Sequence, residues 1–289
     1  MRQFSSFACV DWSGQAVAKP KGLAVAYASP GSNSPTLLRP QGGWSRSTLL
    51  EWFHRLAESG ADILIGLDLS PALPFVDEGA YFPGWQQSPS HAAALWELVE
   101  TLSAKDPHLS VSSFLTDPEV RRHFRQHGNC GDLFPSGAGR MRVCEIGQKA
   151  MGLSPTSCFN LVGASQVGKS SLTGMRVLRR IRSKVPIWPF DPLPEHGPAI
   201  VEIYTSVAAV AAGRSKSRAK IRDAAGLNDA LAALSSDYHG SLQQYDDHST
   251  DAIITAAWLR KVAANEALWH PAGLTPQIAR TEGWTFGIL

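Results

Sequence analysis

Ser6-Phe-Ala-Cys-Val-Asp11-Trp-Ser-Gly14 and Ile63-Leu-Ile-Gly-Leu-Asp68-Leu-Ser70 decide how this chain of 289 residues is read. Each begins as a short, mostly apolar run, too brief for a free-standing helix and rich enough in Val and Ile for a buried strand. Each run closes on an aspartate followed by small, turn-forming residues. A carboxylate beside an apolar core is costly without a counter-charge. The pair therefore predicts a site built to hold a cation. A third run, Ala199-Ile-Val-Glu202-Ile-Tyr204, carries an acid inside the strand, and Asp247 and Asp251 open a late helix.

Outward from these runs, residues up to Ser70 read as strand, strand, strand, helix, strand. After the run to Asp11, strands are expected at 21–28 and 36–39, separated by the turn-rich Ser29-Pro-Gly-Ser-Asn-Ser-Pro35. Ser47 or Thr48 can cap a helix that ends at Gly60, with Leu49, Phe53, Leu56 and Ala57 on one face. The fourth strand spans 62–68. Residues 71–157 are rich in Pro, Gly, Ser and His, with helices expected at 90–103 and near 117–127. They read as an insertion or lid over one end of the sheet, within a single domain covering 1–289. Strand and helix then alternate again: strand 157–162, helix 170–184, strand 198–204, and helices at 223–236 and 249–265. Three strands, a helix and a further strand predict a mixed sheet whose first and fourth strands are parallel neighbours. Asp11 and Asp68 would then share one edge, with strands about 4.8 Å apart, where open α/β sheets bind their ligands.

No apolar run approaches the length of a membrane span, and the amino terminus has no basic segment leading into an apolar stretch. Cys9, Cys130, Cys144 and Cys158 form no CxxC pair. Reduced thiols, a cytoplasmic location and no membrane partner are expected. The net charge of +2 neither favours nor excludes nucleic acid, but its distribution says more. Arg176, Arg179, Arg180, Arg182 and Lys184 form one acid-free basic run, and Arg214, Lys216, Arg218, Lys220 and Arg222 another. Such runs attract a phosphate backbone, or are simply solvated faces.

Gly163-Ala-Ser-Gln-Val-Gly168-Lys169-Ser170 matches GxxxxGK[ST], a loop that cradles phosphates. It follows an apolar run and opens a helix, which makes Lys169 and Ser170 candidates for binding phosphate. Its context points the other way. No later strand ends in an Asp placed to hold Mg²⁺: Asp191 sits among Pro186, Pro189, Pro192 and Pro194, and Glu202 lies within its strand. A glycine-rich turn into a helix explains the same residues. His123-x₃-His127-x₂-Cys130 with Cys144 has zinc-ligand types, set against ordinary surface histidines.

The acids themselves have plainer readings. Asp11 and Asp68 could cap the turns that follow them, Asp247 or Ser249 could cap the late helix with Asp251 in its first turn, and Glu202 could pair with a base of the 214–222 stretch. On the other reading, carboxylates four residues apart share a helix face, and acidic clusters of this kind hold hard cations that drive attack on a phosphodiester.

Val10-Asp-Trp-Ser-Gly14, Ile65-Gly-Leu-Asp-Leu-Ser70 and Val201-Glu-Ile-Tyr204 resemble three motifs of the predicted RNase H-like nucleases, a largely uncharacterised family of the ribonuclease H-like superfamily. Val167-Gly-Lys-Ser-Ser-Leu-Thr-Gly-Met175 resembles that family's glycine-containing turn before a helix, and Glu282-Gly-Trp284 its ending. Asp247-His-Ser-Thr-Asp-Ala252 is similar to its late acidic helix and to the Asp-Ala helix of Holliday-junction resolvases, though one residue longer in spacing than the resolvase pair. The resemblance implies an α/β fold with an RNase H-like mixed five-stranded sheet, order 3-2-1-4-5, flanked by helices, with a long insertion after the fourth strand. It also implies metal-dependent phosphodiester cleavage, with Asp11, Asp68 and Asp251 as ligands.

The expectation is thus a nuclease dependent on Mg²⁺ or Mn²⁺, acting on nucleic acid. Asp11, Asp68, Asp251 and Glu202 would be catalytic, Asp11, Asp68, Asp247 and Asp251 would hold metal, and Lys169, Ser170, Arg214, Lys216, Arg218 and Lys220 would bind the phosphate backbone. Two other readings stand beside it. One is a nucleotide hydrolase, using the phosphate loop or an actin-like fold whose first strand resembles Val10–Gly14. The other is a catalytically silent nucleic-acid-binding protein of the same fold.

Overall fold

The first strand, β1 (Ser6–Asp11), is buried along its whole length, as a strand covered on both faces must be, and so reads as a continuous apolar run. The computed structural model describes residues 2–135, 137–162, 167–214 and 220–289. After β1 come β2 (Ala24–Ala28), β3 (Thr36–Leu37), α1 (Arg46–Glu58) and β4 (Ile63–Asp68). Helix α1 starts earlier than the sequence predicts. Its cap is Ser45, whose hydroxyl accepts from Thr48 N while Thr48 Oγ1 accepts from Ser45 N.

The insertion contains α2 (Ala92–Leu102), α3 (Ser112–Thr116), a hairpin of β5 (Arg125–Gln126) and β6 (Asn129–Cys130), and α4 (Val143–Ala150). The helix expected near 117–127 is only a 3₁₀ turn, Val120–His123. The chain then enters β5, because Gln126 pairs with Asn129 across His127-Gly128 and Gly128 takes a positive φ of 68°.

Helix α5 (Val167–Ile181) follows, then β7 (Ile187–Trp188), β8 (Ala199–Glu202), α6 (Thr205–Ala211), α7 (Ala224–Ala233), α8 (Asp247–Val262) and α9 (Pro276–Thr281). The strand expected at 157–162 is absent. Those residues form turns, joined to the hairpin by a single bridge between Asn160 and Arg125. Their apolar side chains serve the insertion: Phe159 packs against Phe124 at 5.0 Å and Phe82 at 6.3 Å between ring centroids.

The sheet order is β3-β2-β1-β4-β8-β7. Antiparallel pairs join β1–β2 and β2–β3, and parallel pairs join β1–β4, β4–β8 and β8–β7. The result is a mixed, mainly parallel six-stranded sheet flanked by helices. The expected fifth strand is β8. The sixth, β7, went unforeseen because it has two residues between Pro186 and Pro189.

Alternation along β1 and β4 feeds two cores. Ala8, Val10, Ile63, Ile65 and Leu67 face α1, α5 and the insertion, while Phe7, Cys9 and Leu64 face α8 and the carboxyl-terminal segment. Helix α8 is apolar nearly all round from Ala252 to Leu259, as a helix buried on most sides must be. Among the described residues no helix is long and apolar enough to cross a membrane.

One carboxylate ties the insertion to the chain's last segment. Glu282 Oε1 accepts from Phe75 N at 2.7 Å and Val76 N at 2.8 Å, and its Oε2 accepts from Val143 N at 2.7 Å. One side chain holds the start of the insertion and the start of its last helix, α4.

Candidate functional site

Parallel pairing of β1 with β4 sets Asp11 opposite Asp68 in register. Both aspartates end their strands, so both carboxylates reach the same crevice at the carboxyl edge of the sheet. The turn after Asp11 is pinned from two sides. Trp12 Nε1 donates to Thr173 Oγ1 on α5 at 3.1 Å. Buried Arg46 of α1 donates to Ser13 O at 2.7 Å and Gln15 O at 2.6 Å, and burial pushes its guanidinium down to about 10. Between them, Gly14 meets the start of α5 so closely that a Cβ would lie 2.4 Å from Lys169 C and Ser170 N. Only glycine fits there.

Asp251 arrives from α8. The cap of that helix is Asp246, which accepts from Ser249 N at 2.9 Å, so Asp247 occupies the first turn. Asp68 Oδ2 accepts from Thr205 Oγ1 at 3.1 Å. His248, which the sequence reading overlooked, sets Nδ1 3.3 Å from Asp11 Oδ2. Its one signal was its place beside Asp247 and three residues before Asp251.

These carboxyls resist ionisation. Burial raises Asp68 well above the ordinary carboxylate range, and the charges of Asp11 and Asp251 raise it further. Burial, then Asp11 and Asp247, push Asp251 up to about 7. Burial raises Asp11 as well, against the hydrogen bond and charge of His248. His248 is raised in turn, first by its hydrogen bond to Asp11. The cluster thus carries a deficit of positive charge at neutral pH. Among the described residues, no three His, Cys, Asp or Glu side chains already converge as a metal-binding group. The donor type suits a hard cation; the present spacing is wider than coordination.

The acids border a cavity of about 800 Å³. Asp11, Asp68, Asp247, Asp251 and Glu202 line it, as do Ser170, Arg214 and Lys220. Lys169 does not, although its backbone touches the Gly14 turn. Lys216 and Arg218 lie outside the described residues, as does the first half of the phosphate-loop match, 163–166.

Two of the expected acids already have cationic partners. Asp247 pairs with Lys220 and, at 2.6 Å, with Arg222. Partial burial, which would raise it, is outweighed by those two cations, and its carboxyl sits below the usual range. Glu202 pairs with Arg142 of the insertion. Arg142 Nη1 donates to Glu202 Oε2 at 2.8 Å and Nη2 to Oε1 at 2.5 Å, while Thr285 Oγ1 donates to Oε1 at 2.7 Å. Arg142 also donates to Glu145 Oε1 at 2.9 Å and to Ser70 Oγ, two residues past Asp68, at 3.0 Å. All three charged groups are buried. Glu202 is therefore the anchor of a closed network beneath the acids.

The phosphate-loop match has a packing explanation. A Cβ on Gly168 would sit 2.0 Å from Cys158 O, and among the described residues no strand of the sheet leads into α5. The basic run at 176–184 is neutralised within the fold: Arg176 and Arg180 meet Glu100 at 2.7 and 2.5 Å, Arg179 meets Glu97, Arg182 meets Asp191 at 2.7 Å, and Lys184 meets Glu58 at 3.6 Å. It is no free phosphate footprint. The zinc-type residues also separate. His123 is buried against the Phe82 ring, Cys144 is buried beside Thr285, and Cys130 is exposed. Burial pushes the Cys144 and Cys158 thiols up to about 12, which leaves them inert as nucleophiles.

Compared with models of protein families, with curated proteins and with solved structures, the chain matches none.

Proposed function

We propose that this chain is a divalent-metal-dependent nuclease of ribonuclease H-like fold, with Asp11, Asp68 and Asp251 as its catalytic carboxylates. One observation carries the reading: two aspartates end adjacent parallel strands in register, and each is destabilised as an anion by burial and by its acidic neighbours. A protein gains nothing in stability from such a cluster unless a cation completes it. The order of the first five sheet positions and the acids' place at the carboxyl edge support the superfamily assignment.

Asp11, Asp68 and Asp251 would hold Mg²⁺ or Mn²⁺, which when bound supplies Lewis acidity toward the phosphoryl oxygens and a water nucleophile at neutral pH. The chain's own contribution is positional. Thr205 orients Asp68, His248 orients Asp11, and the clamp of Arg46, Trp12 and Gly14 fixes the turn that carries Asp11. The Arg142–Glu202 pair holds the floor.

The decisive experiment incubates the protein with single-stranded, duplex, hybrid and branched nucleic acids plus Mg²⁺ or Mn²⁺. Metal-dependent cleavage that disappears in Asp11→Asn is the expected result. Cleavage that survives this substitution, or no cleavage of any substrate, overturns the reading.

A further inference from the structure

We infer that Lys220 and Arg222 form a phosphate subsite beside the acidic cluster, that Asp247 fills it in the free protein, and that its ligand is the phosphate one step along a single strand from the scissile bond. The inference rests on the nuclease reading for the identity of the strand, and on independent geometry for the subsite.

Asp247 places one carboxylate between two cations, Oδ2 toward Lys220 Nζ and Oδ1 toward Arg222 Nη1 at 2.6 Å. A phosphate would make the same contacts, an anion with separate oxygens facing an ammonium and a guanidinium. Asp247 is thus an internal stand-in for such an anion. The stand-in is easy to displace. Lys220 and Arg222 side chains are 68% and 54% exposed, and ion pairs this exposed are individually weak. A phosphate arriving with the substrate gains both contacts and, through the rest of the strand, does not bind alone.

The position of the subsite defines the ligand. Asp247 and Asp251 lie four residues apart on α8, about 6 Å along its axis. That is comparable with the step between successive phosphates of an extended strand. A phosphodiester at the acids therefore puts its neighbour at Lys220. The cavity sets the rest. At about 800 Å³, walled by Leu153, Pro155 and Tyr204 on the side of the insertion and β8, it is of the size that encloses one small organic ligand. That volume suits a nucleotide or two of a single strand better than a duplex.

The test measures binding in the cleavage-silent Asp11→Asn background with Mg²⁺ present, so that its outcome does not depend on turnover. The probes are oligothymidylates of two and three nucleotides, carrying one and two internucleotide phosphates, and a hairpin duplex without single-stranded ends. The trinucleotide should bind more tightly than the dinucleotide. Removing the stand-in by Asp247→Asn should tighten the trinucleotide about three- to tenfold, the worth of two exposed ion pairs, and leave the dinucleotide unchanged. Lys220→Ala with Arg222→Ala should erase the advantage of the longer strand and lower the salt slope by about one. The inference is overturned if Asp247→Asn weakens both probes alike, which would make Asp247 a metal ligand. It is also overturned if the double variant keeps the length advantage, or if the hairpin binds as well as the trinucleotide. Failure of wild-type protein to cleave any strand, with these binding results intact, would overturn the nuclease reading and leave the subsite standing.

Discussion

His248 stands directly on Asp11: its Nδ1 lies 3.3 Å from Asp11 Oδ2, and the carboxylate raises the proton affinity of the imidazole while the imidazole lowers that of the carboxylate. The imidazole is the side chain that meets Asp11 itself. It compensates Asp11 in part and leaves Asp68 and Asp251 with carboxyls that prefer to stay protonated.

Stability without metal should therefore fall as the pH rises. Asp251 titrates near 7 in the folded chain against an ordinary 3.8, so between those values the folded state binds more protons than the unfolded state, and stability declines through this window. His248 acts with the same sign, since a raised imidazole pKa gives stability that is lost as pH climbs through it. Thermal unfolding in chelator should show Tm decreasing from pH 5 to pH 8. Asp251→Asn should flatten the profile and stabilise the protein at pH 8 by about 4 kcal/mol at most. A profile that rises across this range, unchanged by the substitution, would contradict the assignment.

Divalent metal should reverse that loss. At pH 8, Mg²⁺ or Mn²⁺ at a hundred times its dissociation constant should stabilise the wild type by about 2.7 kcal/mol. Asp68→Asn should abolish the increment while raising the metal-free baseline, because it removes a charge that Asp11 and Asp251 oppose. Equal metal-induced shifts in both proteins would place the ion elsewhere.

Arg142→Met should be severe. It strips Glu202 and Glu145 of their buried partner, and breaking such a pair costs about 3–5 kcal/mol. Urea unfolding would register this as a lower midpoint. Glu202→Gln, which keeps the hydrogen-bonding shape, should cost less and retain metal binding by calorimetry. If Glu202→Gln eliminated metal binding at unchanged stability, Glu202 would belong among the ligands.

Gly14→Ala and Lys169→Ala should separate packing from phosphate chemistry. The added methyl meets backbone 2.4 Å away, and forcing such overpacking typically costs about 1–3 kcal/mol, so Tm should drop. Lys169→Ala should leave cleavage unaltered, since its side chain does not line the cavity. Loss of nucleotide binding in Lys169→Ala would revive the phosphate-loop reading.

Asp11 and Asp68 were legible in the sequence because parallel strands in register carry their pattern locally: an apolar run, an acid, a turn. Helical spacing put Asp247 and Asp251 on one face, and the resemblance alone singled out Asp251. What the sequence concealed was every relationship set by distant partners. Arg176 and Glu100 are separated by 76 positions and Arg142 and Glu202 by 60, and no local pattern reveals that such charges cancel. The apolar stretch before α5 misled for a related reason. Burial makes Phe159 and Leu161 hydrophobic whether their neighbours are strands or the aromatic side chains of the insertion. The two-residue β7 is too short to have a period.

The carboxylate of Glu282 has a bearing on how the molecule is made. It accepts from the amides of Phe75, Val76 and Val143, so the start of the insertion and its last helix close on a residue far downstream. A nascent chain emerging from the ribosome has β1, β4 and their aspartates long before it has this fastening. Domains fold as units during synthesis. The cavity wall nearest Arg142 therefore cannot take its final contacts before residue 282 has been made.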